Sequence, residues 1–374
     1  MNDSVKKNKH YPFKEQDRER FVPLLFLPLL PLTALLPHAH LLCAILLAVT
    51  LGQYRWKQGT LLGKKVRLYC LFLCFSLSGV FISIAWRETL LTTVLRLSFF
   101  IPLLFPRIER RIPTLLALMG GVLGAVASVE LLLGYGKTGY ADTTRFSSLS
   151  RAAGPFGNPN ILAAFLIPAT LFALAHALHQ RERRCLYLLA FLFSLGGICA
   201  TFSRGGMLAV GVGILWLLFK KYGFFRTLMG GLLLFPAATF CIPSSLGARI
   251  LSLTACDSSV LYRFSLWKSV ARIPLPSLLF GVGEGKRALL SLLFPHLSAG
   301  LSHIEHTHSL FLHLLLSTGI IGFLLFLGIV FASLRTKETK GVRASILAFL
   351  LFGMFDDPLY AAQTEVIFWL TLGL

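Results

Sequence analysis

Between Phe21 and Leu374, apolar runs follow one another with mostly short polar connections, and most approach the roughly 20 residues that a helix needs to cross a bilayer. In hydrocarbon every backbone N–H and C=O must be satisfied within the protein, so spanning segments are helices or closed barrels. Continuous apolar runs, without strand-like alternation, read as helices. Only 14% of the residues are charged and 55% are hydrophobic, against about 25% charged in an ordinary soluble domain. The expectation is an all-α, polytopic membrane protein.

Twelve runs can be delimited: 21–36, 39–54, 67–86, 89–106, 113–134, 160–178, 186–202, 205–219, 227–243, 309–334, 342–355 and 361–374. Pro23, Pro28 and Pro31 would distort a helix in the first. The leading 20 residues are mostly polar and resemble no cleavable signal, so the N-terminus is expected in the cytoplasm. Threaded from there, the basic residues divide 24 to 11 between inside and outside segments, with Arg96 left inside a span. Cytoplasmic loops should carry that excess. The net charge of +20 is thus accounted for by topology and points to membrane lipids rather than nucleic acid, since no basic stripe alternates with aromatics. Seven cysteines, six of them in or beside apolar runs and none in a Cys-x-x-Cys pair, read as small core residues.

The threading puts both termini inside and places the longest hydrophilic stretch, 244–308, on the outer face. The chain is therefore read as one integral membrane domain, 1–374, carrying one large outer loop, 244–308. A second outer loop, about 135–159, contains Gly154-Pro-Phe-Gly-Asn-Pro159, whose turn residues predict a structured re-entry into the next helix.

Three outer-face residues could do chemistry. Arg204, Arg263 and His308 are each bordered by apolar sequence, where a cation is costly unless it snorkels or finds a partner. As bland alternatives, Arg204 is an interfacial anchor, Arg263 a solvated cation stacked on Trp267, and His308 a helix cap acting with Ser309. Two arginines on one membrane face, each a planar fork of donors, suit a diphosphate leaving group. A nearby base would complete a group-transfer site. A rival reading takes His303, Glu305, His306 and His308 as metal ligands, although no Cys pair or His-Glu-x-x-His accompanies them. His313, inside the tenth run, is expected to pack in the bundle or donate to a neighbour.

Four elements occur in order: Arg151-x-x-Gly-Pro-Phe-Gly-Asn-Pro-Asn160; Ser203-Arg204-Gly205; Arg263-x3-Trp267 followed by Gly281-Val-Gly283-Glu-Gly285; and His308-Ser309-x9-Gly319-x-x-Gly322. Together they resemble the landmarks of the O-antigen ligase and polymerase superfamily. The resemblance covers residues 151–322, and the residues before it contribute only generic apolar helices.

That resemblance implies a GT-C-type glycosyltransferase fold. It implies transfer of a glycan from undecaprenyl diphosphate to lipid A–core, at the periplasmic side of a bacterial inner membrane, with no cofactor and no metal. Residue by residue, it assigns His308 to catalysis and Arg204 and Arg263 to the donor diphosphate. Arg151, Arg272, Asp356 and Asp357 are secondary candidates, the two aspartates by likeness to an acidic site in ligases. Ser317 departs from the pattern, since many relatives carry an acidic residue there.

Two related readings remain open: a polymerase, for which Arg272-x10-Gly283 is one matching element, and a protein O-oligosaccharyltransferase. A secondary transporter is the reading of another class. It would be expected to carry charged residues in its spans and a repeat relating its halves. Here the spans hold few charges beyond Arg96 and Glu130, and no internal repeat is evident.

Overall fold

The computed structural model describes residues 27–35, 38–52, 64–104, 109–135, 150–241, 258–296, 306–335 and 341–374. Every regular element among the described residues is helical, as a backbone in hydrocarbon requires. The order is α1 (Ala39–Gly52), α2 (Lys64–Ile82), α3 (Trp86–Arg96), α4 (Phe100–Leu104), α5 (Ile112–Leu132), α6 (Pro159–His179), α7 (Arg184–Ala200), α8 (Arg204–Tyr222), α9 (Phe224–Cys241), α10 (Ser258–Val270), α11 (Leu275–Leu278), α12 (Lys286–Leu293), α13 (Leu310–Arg335), α14 (Val342–Gly353) and α15 (Ala362–Gly373). Five of these, α2, α5, α6, α8 and α13, are long and apolar enough to cross a membrane, and α7 and α14 are shorter apolar helices. The chain is a multi-pass membrane protein.

Besides the tenth run, which bends at Gly319, two apolar runs depart from a single α-helix among the described residues. The first ends in a 3-10 turn over Pro31–Leu35, where prolines remove amide donors. The fourth is broken into α3 and α4 by a 3-10 turn at Leu97–Phe99. Tertiary contacts hold that break: Tyr69 donates to the Arg96 carbonyl and stacks on Phe99 at 3.7 Å, and Ser98 Oγ donates to the Val366 carbonyl at 3.2 Å.

Helix α6 is the central post. In its apolar window 89% of the residues are buried, against 17% for α2, so α6 is enclosed by protein whereas α2 presents most of its surface outward. The start of α6 is sharp because Pro159 occupies the first turn, where no amide donor is needed, and the Asn158 side chain accepts from Asn160 N at 2.9 Å. Beside it, α5 and α7 approach through small residues: a Cβ on Gly124 would lie 2.1 Å from the Phe193 carbonyl oxygen. Without a hydrophobic drive between helices in lipid, such close backbone contact supplies the packing.

The described part of the 244–308 stretch is folded rather than extended. It carries α10, α11 and α12, and Leu266, Val270, Leu289 and Leu293 of these helices, with Ile273 of the turn after α10, form a small core with Leu316 of α13. This stretch is thereby seated on the helix that begins just after His308.

Candidate functional site

The motif glycine Gly319 bends α13 and receives a loop. Gly319 adopts φ 69° and ψ −178° within α13, a conformation that L side chains avoid. A break in a helix frees the carbonyls that precede it. Two of them accept from the 281–285 loop: Val282 N donates to Leu316 O at 3.0 Å and Gly283 N to Ser317 O at 2.9 Å. The approach is too close for side chains. A Cβ on Gly281 would sit 2.4 Å from Ser317 O, and one on Gly319 2.4 Å from Leu279 O. On its other flank the loop is held by α3, where Glu284 N donates to Thr89 Oγ1 at 2.9 Å.

Strung between α3 and α13, the loop drives the Glu284 side chain inward. Its carboxylate meets the Arg96 guanidinium on one side and His313 Nε2, at 2.6 Å, on the other. His313 Nδ1 in turn lies 2.6 Å from Asp357 Oδ2. Arg96 also reaches Glu365 Oε1 at 3.4 Å and Ser76 Oγ at 2.8 Å, and Trp369 Nε1 donates to that same Glu365 oxygen at 3.3 Å. All four members of the Arg96–Glu284–His313–Asp357 chain are buried. Burial would push the Glu284 carboxyl up, but the charges of His313 and Arg96 hold it below the usual carboxylate range. Arg96, which the sequence left alone inside a span, is thus the anchor of a buried charge network. Loss of one partner from such a network costs about 3–5 kcal/mol, because the other is left uncompensated.

One turn before α13, the chain makes a tight corner. His308 has φ 51°, one of three non-glycine residues with positive φ among the described residues. The corner is pinned on both sides: Trp267 Nε1 donates to Thr307 O at 3.2 Å, and Thr307 Oγ1 to Ser309 O at 2.8 Å. The helix cap falls to Ser309, whose Oγ accepts from Leu312 N at 3.5 Å. His308 is turned elsewhere. A strained non-glycine backbone persists where its surroundings hold it, and functional sites collect such residues.

His308 is turned toward Asp356, in the segment between α14 and α15, with Nδ1 at 3.4 Å from Oδ1. His306 Nε2 approaches the same oxygen at 3.5 Å, and Arg263 of α10 lies 3.6 Å from Oδ2. The His306 ring lies between those of His308 and Tyr360, at 4.0 and 4.3 Å between centroids. Asp356 Oδ1 also accepts from Asp357 N at 2.9 Å. Burial would raise the Asp356 carboxyl, yet the bonds from His306 and His308 and the charge of Arg263 hold it well below the usual carboxylate range. For His308 the balance runs the other way. Burial takes the imidazole below its ordinary value of 6.5, against the opposing pull of Asp356.

Of the residues singled out from sequence, His308, Arg263, Asp356 and Asp357 come together. Arg204, half-buried, opens α8 behind its Ser203 cap, and the adjacent Gly205 backs onto Phe352 and Phe355, just before Asp356. Arg151 is a buried tie: its Nε donates to Thr201 O at 2.8 Å and its Nη2 to Asn160 Oδ1 at 3.0 Å, joining the end of α7 to the start of α6. Arg272 is exposed in the turn after α10. Trp267 serves the His308 corner, and Arg263 faces the acid rather than a solvated surface.

A cavity of about 700 Å³ meets the cluster from the His306 side. Its walls carry Arg87, Glu284, Lys286, His306, His313 and Tyr360 among leucines of α1, α3 and α12. The ligand atoms of His306, His308 and Asp356 lie within 4.8 Å of one another, a donor set of the kind a metal ion uses. His303 and Glu305, the other candidate ligands, fall outside the described residues.

Residues 189–327 match the family model described as O-antigen ligase. That region contains Arg204, Arg263, His308 and the two motif glycines, while Arg151, Asp356 and Asp357 lie outside it. No curated protein matches the chain. The match supports assignment to the O-antigen ligase and polymerase family, in agreement with the resemblance carried by the sequence motifs.

Proposed function

On the match over residues 189–327 and the ordered motifs, we propose that the chain is an O-antigen ligase of GT-C type, a metal-independent inverting glycosyltransferase. It would move a glycan from undecaprenyl diphosphate to lipid A–core at the periplasmic face of a bacterial inner membrane. The observation that carries this reading is the His308–Asp356–Arg263 cluster, with a base and a phosphate-binding cation on one buried carboxylate.

A sugar hydroxyl is a poor nucleophile, and a positioned base assists by removing its proton as the oxygen attacks. Asp356, held ionised, takes the Nδ1–H of His308, which fixes the ring's tautomer and leaves Nε2 to receive the proton. The acceptor oxygen bonds to the anomeric carbon, the bond from that carbon to the diphosphate oxygen breaks, and the acceptor proton passes to His308. A single displacement inverts the anomeric centre. Arg204 and Arg263 neutralise the charge that grows on the leaving undecaprenyl diphosphate, and fixed cations do so without reorganising. The adjoining cavity offers an approach to the cluster for a substrate.

The proposal includes twelve crossings with both termini cytoplasmic, which puts α10 to α12 in the periplasm. Cysteines introduced at 258 and 338 would test it: only the first should react with an impermeant maleimide on intact spheroplasts, and labelling of 338 would overturn it. The reaction is tested by incubating purified protein with a lipid-linked glycan and with lipid A–core, a second lipid-linked glycan or a protein acceptor. Modified lipid A–core identifies a ligase. A lengthened lipid-linked glycan identifies a polymerase, a glycosylated protein an oligosaccharyltransferase, and accumulation of intact substrate in vesicles without transfer a transporter.

A further inference from the structure

We infer that His313 is a positioning residue that holds Asp356 in line with His308 through Asp357, an inference that rests on the catalytic reading of His308. Three segments that are distant in sequence meet at this imidazole. Nε2 takes Glu284 from the loop fastened to α13, and Nδ1 takes Asp357 from the segment between α14 and α15, both at 2.6 Å. The Glu284 contact is a hydrogen bond and the Asp357 contact a close ion pair, and a buried carboxylate on each side suits a cationic ring. It separates two buried carboxylates that would otherwise face each other without a cation between them.

Asp357 has no slack. Its Oδ1 accepts from Leu359 N at 3.0 Å, its Oδ2 faces His313, and its backbone N–H donates to Asp356 Oδ1. The oxygen that faces His308 is therefore oriented in part by the main chain of a residue whose side chain His313 holds. Glu284 is itself fixed by Arg96 and by the Thr89 contact to its backbone, so the clamp is referred to α3 and α13 rather than to solvent. His313 itself reaches neither His308 nor Asp356 in this network; its influence passes through Asp357.

The test uses full-length protein in nanodiscs, with transfer from a lipid-linked glycan measured per folded molecule. His313→Gln keeps the length and one donor, and Asp357→Asn removes the same link while leaving the Glu284–His313 pair intact. Each should lower kcat by about 10-fold or more and leave the donor KM within about twofold, the pattern of a lost transition-state contact. In an Asp356→Asn background, His313→Gln should change kcat by less than about twofold, because residues acting through one partner are not additive. A purely structural role predicts normal kcat in the folded fraction, and a role independent of Asp356 predicts multiplicative losses in the double variant; either result overturns the inference. If His313→Gln does not fold, Asp357→Asn alone decides between the same outcomes. His308→Ala is run in parallel. Should it retain transfer, the catalytic reading itself falls; should it be dead while His313→Gln and Asp357→Asn work normally, only the positioning role is lost.

Discussion

His308 Nδ1 and Asp356 Oδ1 face each other at 3.4 Å across 48 residues of sequence, and the other oxygen of the same carboxylate faces Arg263 at 3.6 Å. One acid therefore serves the imidazole and the guanidinium together. Removing it should disturb proton transfer and leaving-group stabilisation at once, whereas removing His308 should touch only the first.

His308→Ala is expected to lower kcat by about 10²- to 10⁴-fold, the usual contribution of a general base, with the amount of folded protein unchanged. Ser309→Ala is the matched control: it deletes the helix cap, costs about 1 kcal/mol of stability, and should leave turnover near normal. Initial rates with purified variants separate the two. Transfer by His308→Ala within a few-fold of wild type would remove it from the mechanism.

Arg263→Lys and Arg204→Lys should be nearly as damaging as the alanine variants. A bidentate grip on phosphate needs the planar guanidinium fork, which an ammonium lacks. An interfacial anchor would accept lysine. The measurement is kcat/KM for the lipid-linked donor at matched expression, and near-normal values for both lysine variants would count against the clamp.

Because burial takes His308 below its ordinary value of 6.5, the base form prevails at neutral pH, and the acid limb of kcat/KM should fall below pH 6.5. The linkage has the same sign. As pH drops below 6.5 the unfolded chain takes up this proton before the folded one, so the residue withdraws stability on the acid side and has no such effect above it. Asp356→Asn removes a contribution that raises His308 and should shift the acid limb lower still. A limb that moves upward in this variant would contradict the pairing.

Transfer should survive excess EDTA, since Arg263 already supplies positive charge to Asp356 and arginines answer the diphosphate. The assay is purified protein with and without chelator. A large loss restored by one divalent ion would instead assign His306, His308 and Asp356 as its ligands.

Much of the helical framework was legible because an apolar run of bilayer length has few alternatives, and α5, α6 and α13 begin and end within a few residues of the runs read from sequence. His308 and Arg263 were legible for the opposite reason, as costly charges beside apolar sequence. What sequence did not reveal was who answers them. Arg96 meets Glu284 across 188 residues and Glu365 across 269, and ion pairs at such separations leave no periodicity. Glu284 stands within a glycine run and carries no pattern of its own that marks it. From sequence His306 reads only as a metal ligand, and its place against Asp356 depends on the segment between α14 and α15 folding back over the start of α13. A charge inside a span implies a partner, and that signal alone could have pointed to Glu284 and Glu365.

The bend at Gly319 and the loop at 281–285 cannot be inherited separately. Straightened, α13 would withdraw the two carbonyls and leave the amides of Val282 and Gly283 with no acceptor; without the loop, the bent helix would bury bare carbonyls. In a chimera that exchanges the 258–296 segment with that of a relative, the unit of exchange is therefore loop and helix together. Grafting either alone should produce a protein that inserts but does not assemble.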